Sequence, residues 1–327
     1  MNALSKDSVA RITVGEEGSG QRLDNYLLKL LKGVPKSHIY RIVRSGEVRV
    51  NGSRATVDRR LGCGDQLRIP PIRTASPRTG ASSPPAPTAV RDASITPIYE
   101  DEALLALDKP PGVAVHGGSG ISFGMIERVR RARPEARFLE LVHRLDRETS
   151  GVLLVAKKRA ALTALHAQLR EGLIDKRYLV LVRGRWRDAL RVVDLPLESR
   201  STAAGKQVRV ERSGREAITI FRLEKRWSRA EPPVSLLEAE LKTGRTHQIR
   251  VHLTHLGFPL AGDDKYGDFA WNRVLAKEGL KRMFLHACSI RFAHPLTGET
   301  VTLRSPLPTD LQAFVARMEA SDVPGAT

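Results

Sequence analysis

Between Ile72 and Ser94 the chain runs through Pro, Ser, Thr and Ala with almost no large apolar residue. Such a stretch cannot bury enough surface to offset the entropy of ordering it. Its repeated prolines bias the backbone toward extended conformations. One continuous core is therefore ruled out, and the 327 residues divide into two bodies. We expect a small domain over residues 12–72, a tether over 73–94, a large domain over 95–310, and a closing helix and tail over 311–327. Each body is long enough to bury a core of its own.

The formal net charge is +18, far more than solubility requires, and it points to a polyanionic partner. Acidic lipid would call for a basic amphipathic anchor or a lipidation signal, and neither is present. Nucleic acid is the better match. The first ten residues are polar, unlike a signal peptide. No run approaches the roughly 20 apolar residues of a membrane helix. Cys63 and Cys288 are far apart and neither sits in a C-x-x-C, which suits a reducing cytoplasm.

In the small body Leu23, Leu27, Leu30 and Leu31 recur at helical spacing and predict a short helix ending near Gly33. A second helix starts after Pro35, with Ile39, Ile42 and Val43 on its apolar face and Gly46 as its stop. A strand over Glu47–Val50, an Asn51-Gly52 turn and a strand over Gln66–Ile69 follow. Ser37, Arg41 and Arg44 project from the second helix away from its apolar face. The like charges of Arg41 and Arg44, three residues apart, disfavour an isolated helix and would be relieved by an anion.

In the large body the informative stretch is Leu139 to Lys158. Asp146 lies between Arg144 and Arg147, after an apolar lead-in and before a strand-like run over Val152–Ala156. Thr149, Ser150 and Gly151 read as a bend. A carboxylate flanked by guanidiniums beside an apolar wall is one way to hold a nucleophile ionised. On spacing alone, a surface ion pair is the favoured reading. Around this stretch we expect a hairpin over 98–107, a helix over Ser122–Arg133, a helix over Ala160–Gly172 and a strand from Lys176 to Val182. Tyr178 on that strand reads as a core residue or as a ring that stacks on a base. Three histidines, His247, His252 and His255, follow a Thr243-Gly244 turn, but they lack the i, i+4 spacing that holds zinc on one helix face. Arg245 and Arg250 are better placed to meet a carboxylate or phosphate. The glycine-dense run from His116 to Gly120 lacks the lysine of a phosphate-binding loop and reads as a loop abutting the active site.

Two resemblances sharpen this. Arg44-Ser45-Gly46-Glu47-Val48-Arg49-Val50-Asn51-Gly52 resembles the closing motif of S4-type RNA-binding domains, over roughly residues 20–70. It implies RNA contacts from Lys36, Ser37, Arg41 and Arg44, with Arg49 and Arg54 as weaker candidates. His143-Arg144-Leu145-Asp146-Arg147-Glu148-Thr149-Ser150-Gly151 resembles the signature of the RluA-type family of RNA pseudouridine synthases. The Lys109-Pro110-Pro111-Gly112 breaker, the Lys176–Val180 strand and Gly244-Arg245-Thr246-His247-Gln248-Ile249-Arg250 agree with it. Within that family the resemblance lies with the branch that modifies 23S rRNA of the large ribosomal subunit.

The resemblance implies an α+β fold, with a small S4-type module beside a larger catalytic domain built on a mixed, mainly antiparallel sheet with flanking helices. It implies an isomerase that flips a uridine out of RNA and converts it to pseudouridine without cofactor or metal. Asp146 matches the nucleophile, and Arg245 the arginine that pairs with it. Tyr178 matches the ring stacked on the uracil, and Leu285 the apolar residue across from it. Arg144 matches the side chain that fills the vacated space. A monomer acting on 23S rRNA in the cytoplasm is expected. The competing readings are a non-catalytic ribosome-assembly factor, a synthase acting on tRNA, and a glycosidic hydrolase, which would ordinarily need a second carboxylate.

Overall fold

The computed structural model describes residues 8–31, 33–72, 97–117, 123–202 and 205–322. The proline-rich stretch and Gly118 to Gly120 lie outside them. Contacts divide the chain into two compact units, residues 1–93 and 94–327.

In the first unit β1 (Ala10–Thr13) precedes two helices, α1 (Leu23–Leu30) and α2 (Lys36–Arg44). The short strands β2 (Arg49–Val50) and β3 (Ser53–Arg54) and then β4 (Gln66–Ile69) follow. The sheet order is β1-β4-β2-β3, all antiparallel. Leu23 and Leu27 of α1 and Ile39, Ile42 and Val43 of α2 share one core with Val48, Val50, Leu67 and Ile69. The apolar faces read from helical spacing are thus the ones buried. Asn51 and Gly52 both have positive φ, 50° and 78°, the mirror-image turn that suits a two-residue hairpin. The strand expected over Glu47–Val50 pairs only at Arg49 and Val50, and the Val48 N–H donates to the Ile42 carbonyl of α2 at 3.1 Å instead.

The second unit opens with the hairpin β5 (Pro97–Glu100) and β6 (Leu104–Lys109). Next come α3 (Met125–Ala132), β7 (Glu140–Leu141), β8 (Ser150–Ala156), α4 (Arg159–Arg170) and β9 (Asp175–Arg183). The strands β10 (Leu190–Asp194), β11 (Leu197–Thr202), β12 (Gly205–Val210), β13 (Ile218–Trp227) and β14 (Val234–Leu241) follow. The chain ends with α5 (Gln248–His255), α6 (Phe269–Lys277), β15 (Leu285–Ala293), β16 (Thr300–Arg304) and α7 (Thr309–Asp322). No helix among the described residues is long and apolar enough to cross a membrane.

A ten-stranded sheet runs β10-β13-β14-β9-β15-β8-β6-β5, with β16 joined to β15 and β7 to β8. The β11–β12 hairpin stands apart from it. All seven residues of β8 are buried because its two faces feed separate cores. Leu153 and Val155 join one with Leu105 and Leu107, while Val152 and Leu154 join the other with Leu104 and Ala106. Burial on both faces explains why the strand reads as an unbroken apolar run.

The β8–β15 pairing is parallel, His286 opposite Ser150 and Ala287 opposite Gly151, in a sheet otherwise antiparallel among the described residues. Ser150 and Gly151, expected as part of a bend, are instead the first residues of β8. Gly151 has φ +112°, and a Cβ there would lie 2.2 Å from the Ala287 carbonyl oxygen. That approach places the chain just after Asp146 against the start of β15, where Leu285 sits. Gly151→Ala is therefore expected to cost about 3 kcal/mol or more in urea unfolding, because both the dihedral and the backbone contact oppose a side chain.

Candidate active site

Asp146 sits in the loop between β7 and β8, its side chain 19% exposed. The loop is anchored from below by Leu145, which is buried in the main core. It is tied from the side by Lys109, the fully buried lysine of the Lys-Pro-Pro-Gly breaker. The Lys109 Nζ donates to the carbonyls of Pro110 and Val113 at 2.8 Å and of Arg147 at 3.0 Å. Burial pushes this lysine down to about 7. Three carbonyl acceptors pull the other way, since only the ammonium has three N–H groups to give. His143, in the same loop, accepts the Leu154 N–H on Nε2 at 3.1 Å. Burial, and then the charge of Lys176, push His143 down to about 4, which suits a neutral acceptor.

The partner of Asp146 comes from α5. Arg250 Nη1 donates to Asp146 Oδ2 at 3.1 Å, while its Nε and Nη2 each donate to a separate oxygen of Asp263 at 2.7 Å. Asp263 is fully buried and also accepts the backbone N–H groups of Lys265 and Tyr266. The guanidinium carbon lies 5.1 Å from the centre of the Tyr266 ring. Burial alone would lower the pKa of Arg250, but the hydrogen bonds and charge of Asp263, and then Asp146, raise it well above its ordinary value. Asp263 is the mirror case: burial would raise it, and Arg250 with the backbone N–H groups holds it below the usual carboxylate range.

This corrects the expected pairing. Arg245 does not meet Asp146; its Nε donates to the Glu216 carbonyl at 2.8 Å. Gln248 explains the difference, because its Oε1 accepts from Arg245 N and from Thr243 Oγ1. Its Nε2 donates to the Ile218 carbonyl and Thr219 Oγ1. The turn is thereby pinned to β13, and Arg245 stands at its outer edge. Arg250 lies inside α5, whose residues from Gln248 to Leu253 are all buried. His252 is spent there too, between Thr219 Oγ1 and the Leu195 carbonyl.

Asp146, Arg144, Tyr178, Arg245 and Leu285 all line one cavity of about 830 Å³, together with Lys176, His247 and Arg250. Tyr178 and Leu285 belong to adjoining strands, β9 and β15. Burial, and then the charge of Asp146, push the Tyr178 phenol upward, so it stays neutral. Arg144 is exposed at the rim and forms no ion pair with Asp146; Arg147 pairs with Glu148 instead. The residues missed from sequence are Asp263, Tyr266 and Lys176. Asp263 had one legible signal: a buried arginine demands a carboxylate, and Asp263-Asp264 follows the apolar Leu260-Ala261 closely.

In the first unit Lys36, Ser37, Arg41 and Arg44 line a shallow depression on α2 with Tyr40. Lys36 Nζ lies 5.4 Å from the centre of the Tyr40 ring and the Arg44 guanidinium 6.0 Å, while the Tyr40 hydroxyl donates to Asp24 at 2.7 Å. The basic groups are thus ranged around an aromatic ring whose hydroxyl is fixed.

Residues 103–255 match the RNA pseudouridylate synthase family, and residues 21–67 match the S4 domain. A ribosomal large subunit pseudouridine synthase C from Pasteurella multocida (strain Pm70) is 50% identical over 312 residues, covering 95% of this chain and 94% of that protein. The chain belongs to the RNA pseudouridylate synthase family. Its counterpart of the same description from Escherichia coli (strain K12) is 49% identical over 314 residues, covering 95% of this chain and 97% of that one. Among solved structures, human RNA pseudouridylate synthase domain containing 1 superposes with a TM-score of 0.53 at 25% identity, over 69% of this chain and 94% of that one. Asp146 and Arg250 lie within the residues matched to the synthase family and Asp263 just beyond them, and the α2 depression lies within the residues matched to the S4 domain.

Because Asp263 binds its proton less readily folded than unfolded, its contribution to stability is complete above its ordinary pKa and is lost as pH falls through the lowered folded value. Asp263→Asn strands a buried guanidinium and is expected to cost about 3–5 kcal/mol at neutral pH. Chemical denaturation repeated from pH 7 to pH 3 should show a shallower acid limb for the variant than for the wild type.

Proposed function

We propose that this chain converts specific uridines of 23S rRNA to pseudouridine, with Asp146 as the nucleophile. The observation that carries the reading is the fixed carboxylate: Asp146, held on Oδ2 by Arg250, opens into the same cavity as Tyr178 and Leu285. A cavity of about 830 Å³ accommodates a flipped nucleoside and its flanking backbone. The reaction exchanges the N1–C1′ bond for a C5–C1′ bond, the C5 proton leaves and N1 gains one, so nothing is oxidised or reduced. The freed uracil must be kept from diffusing away while it turns, which a flat ring on one side and an apolar wall on the other can do. Tyr178 is the ring in this reading and Leu285 the wall. Arg144, at the rim and free of Asp146, suits the space left in the RNA helix.

The S4 domain supplies RNA affinity through Lys36, Ser37, Arg41 and Arg44, mostly as phosphate contacts that weaken with salt. Substrate choice within large-subunit rRNA follows from the near-full-length identity to relatives described as acting there. The protein is read as working as a monomer in the cytoplasm, without metal or cofactor. A glycosidic hydrolase would need a second carboxylate to activate water. Asp263, which shares Arg250 with Asp146, is fully buried and engaged by that guanidinium; Glu171 and Glu216 also line the cavity, and no hydrogen bond or ion pair among the described residues joins either to Asp146.

Asp146→Asn is expected to abolish pseudouridine formation, a loss of about 10⁴-fold or more for removing a nucleophile, with RNA affinity within about threefold. Carbodiimide–primer-extension mapping of 23S rRNA and filter binding check both. Wild-type levels of pseudouridine in the variant would favour the assembly-factor reading, and release of free uracil by the wild type would favour the hydrolase.

A further inference from the structure

His247 is one of two non-glycine residues among the described ones with positive φ, at 54°; the other, Asn51, is a hairpin turn residue. An imidazole has no hairpin reason to adopt this left-handed conformation, and such strain persists where the surroundings enforce it. Here it sits at the N-terminal cap of α5, where Gln248 and the following turn of helix are locked in the core. The result is that the ring faces the nucleophile: Nε2 lies 3.8 Å from Asp146 Oδ2, the oxygen that Arg250 also contacts.

The other ring nitrogen fixes which proton the imidazole carries. His247 Nδ1 is 3.0 Å from the Tyr266 hydroxyl, and that hydroxyl accepts the Val208 N–H at 3.1 Å. With a donor already on its oxygen, and no other acceptor for its proton among the described residues, Tyr266 gives that proton to Nδ1. Nδ1 is then the acceptor and the neutral ring carries hydrogen on Nε2, pointing at Asp146. The charged and titratable groups around the ring are Asp146, Arg250, Lys265, Asp263 and Tyr266, and burial is the largest influence, favouring the neutral form. Tyr266 is itself held, its N–H on Asp263 and its carbonyl on Thr254 Oγ1, so the relay shares its footing with the Arg250 fork.

We propose that His247 is a positioning residue for the nucleophile. Tyr266 fixes its tautomer, and its Nε2–H closes onto Asp146 Oδ2 beside Arg250 when RNA fills the cavity, leaving Oδ1 as the attacking oxygen. No described residue hydrogen-bonds Oδ1, which is consistent with its being the atom offered to the substrate. The relay also begins at Val208 on β12, so the β11–β12 hairpin is tied to the orientation of the carboxylate. This inference rests on Asp146 being the nucleophile of a pseudouridine synthase.

The test uses full-length protein and unmodified 23S rRNA transcript under single turnover. His247→Leu is expected to slow pseudouridine formation at saturating RNA by about 10–100-fold, the scale of a misplaced reacting group, with RNA affinity within about twofold. His247→Gln keeps an N–H donor and is expected to recover most of that loss. Tyr266→Phe leaves the imidazole but frees its tautomer and removes a donor that opposes protonation at Nδ1. The freed neutral ring can carry its hydrogen on Nδ1 and turn a lone pair toward Asp146, so the rate near neutral pH should fall by about two- to tenfold, and acidification, which returns a hydrogen to Nε2, should narrow that deficit relative to the wild type. Equal rates for His247→Leu and wild type, equal losses for the Leu and Gln variants, or a wild-type rate for Tyr266→Phe near neutral pH would each overturn the proposal. Failure of the wild type itself to form pseudouridine would instead overturn the functional reading on which it stands.

Discussion

The catalytic unit depends on one buried ion pair. Arg250 gives two of its donors to Asp263 and a third to Asp146, so a single guanidinium converts a rigid interior position into a rigid carboxylate at the cavity wall. Buried pairs of this kind contribute little net stability, because desolvating both charges offsets most of their attraction. What the pair supplies is geometry. A planar fork engaged at both oxygens of Asp263 has no freedom to rotate, and Nη1 is left at one place. The Asp146 loop is also tied by Lys109, whose three carbonyl acceptors include Arg147, the residue after Asp146.

The sheet delivers the rest. Tyr178 and Leu285 reach the same cavity because β9 and β15 are neighbours, with Leu285 opposite Val180 in register. Asp146 reaches it because β8 joins β15 in parallel through Gly151, where a side chain would collide with backbone. A carboxylate from one loop, a ring from a second strand, an apolar side chain from a third and an arginine from a helix are thereby assembled around one space. The S4 domain is a separate compact unit whose basic helix is built independently of this arrangement.

Local pattern made much of this legible. The helical leucines of the small body, the Asn51-Gly52 turn and the strand over Gln66–Ile69 follow from periodicity and turn chemistry, which depend on neighbours in sequence. The resemblance placed five residues, Arg144, Asp146, Tyr178, Arg245 and Leu285, that the fold brings to one cavity. What sequence could not give was the identity of the ion partner. Arg245 and Arg250 stand five residues apart in one motif, and the choice between them is made by Gln248 and Asp263 through contacts that exist only after folding. Asp263 itself lies in a turn that reads as polar surface, and only the arginine it engages makes it a buried group. The conformation of His247 is likewise a product of tertiary locking, with no glycine or asparagine to announce it.

The claim that Arg250, rather than Arg245, holds the nucleophile is tested most directly by comparing the two conservative lysine variants in single-turnover pseudouridine formation at saturating 23S rRNA. Lysine keeps the charge but cannot fork onto Asp263 while reaching Asp146. Arg250→Lys should therefore slow the reaction by about a hundredfold or more, and Arg245→Lys should stay within about tenfold of wild type. The reverse order, a fast Arg250→Lys enzyme and a slow Arg245→Lys one, would contradict the account.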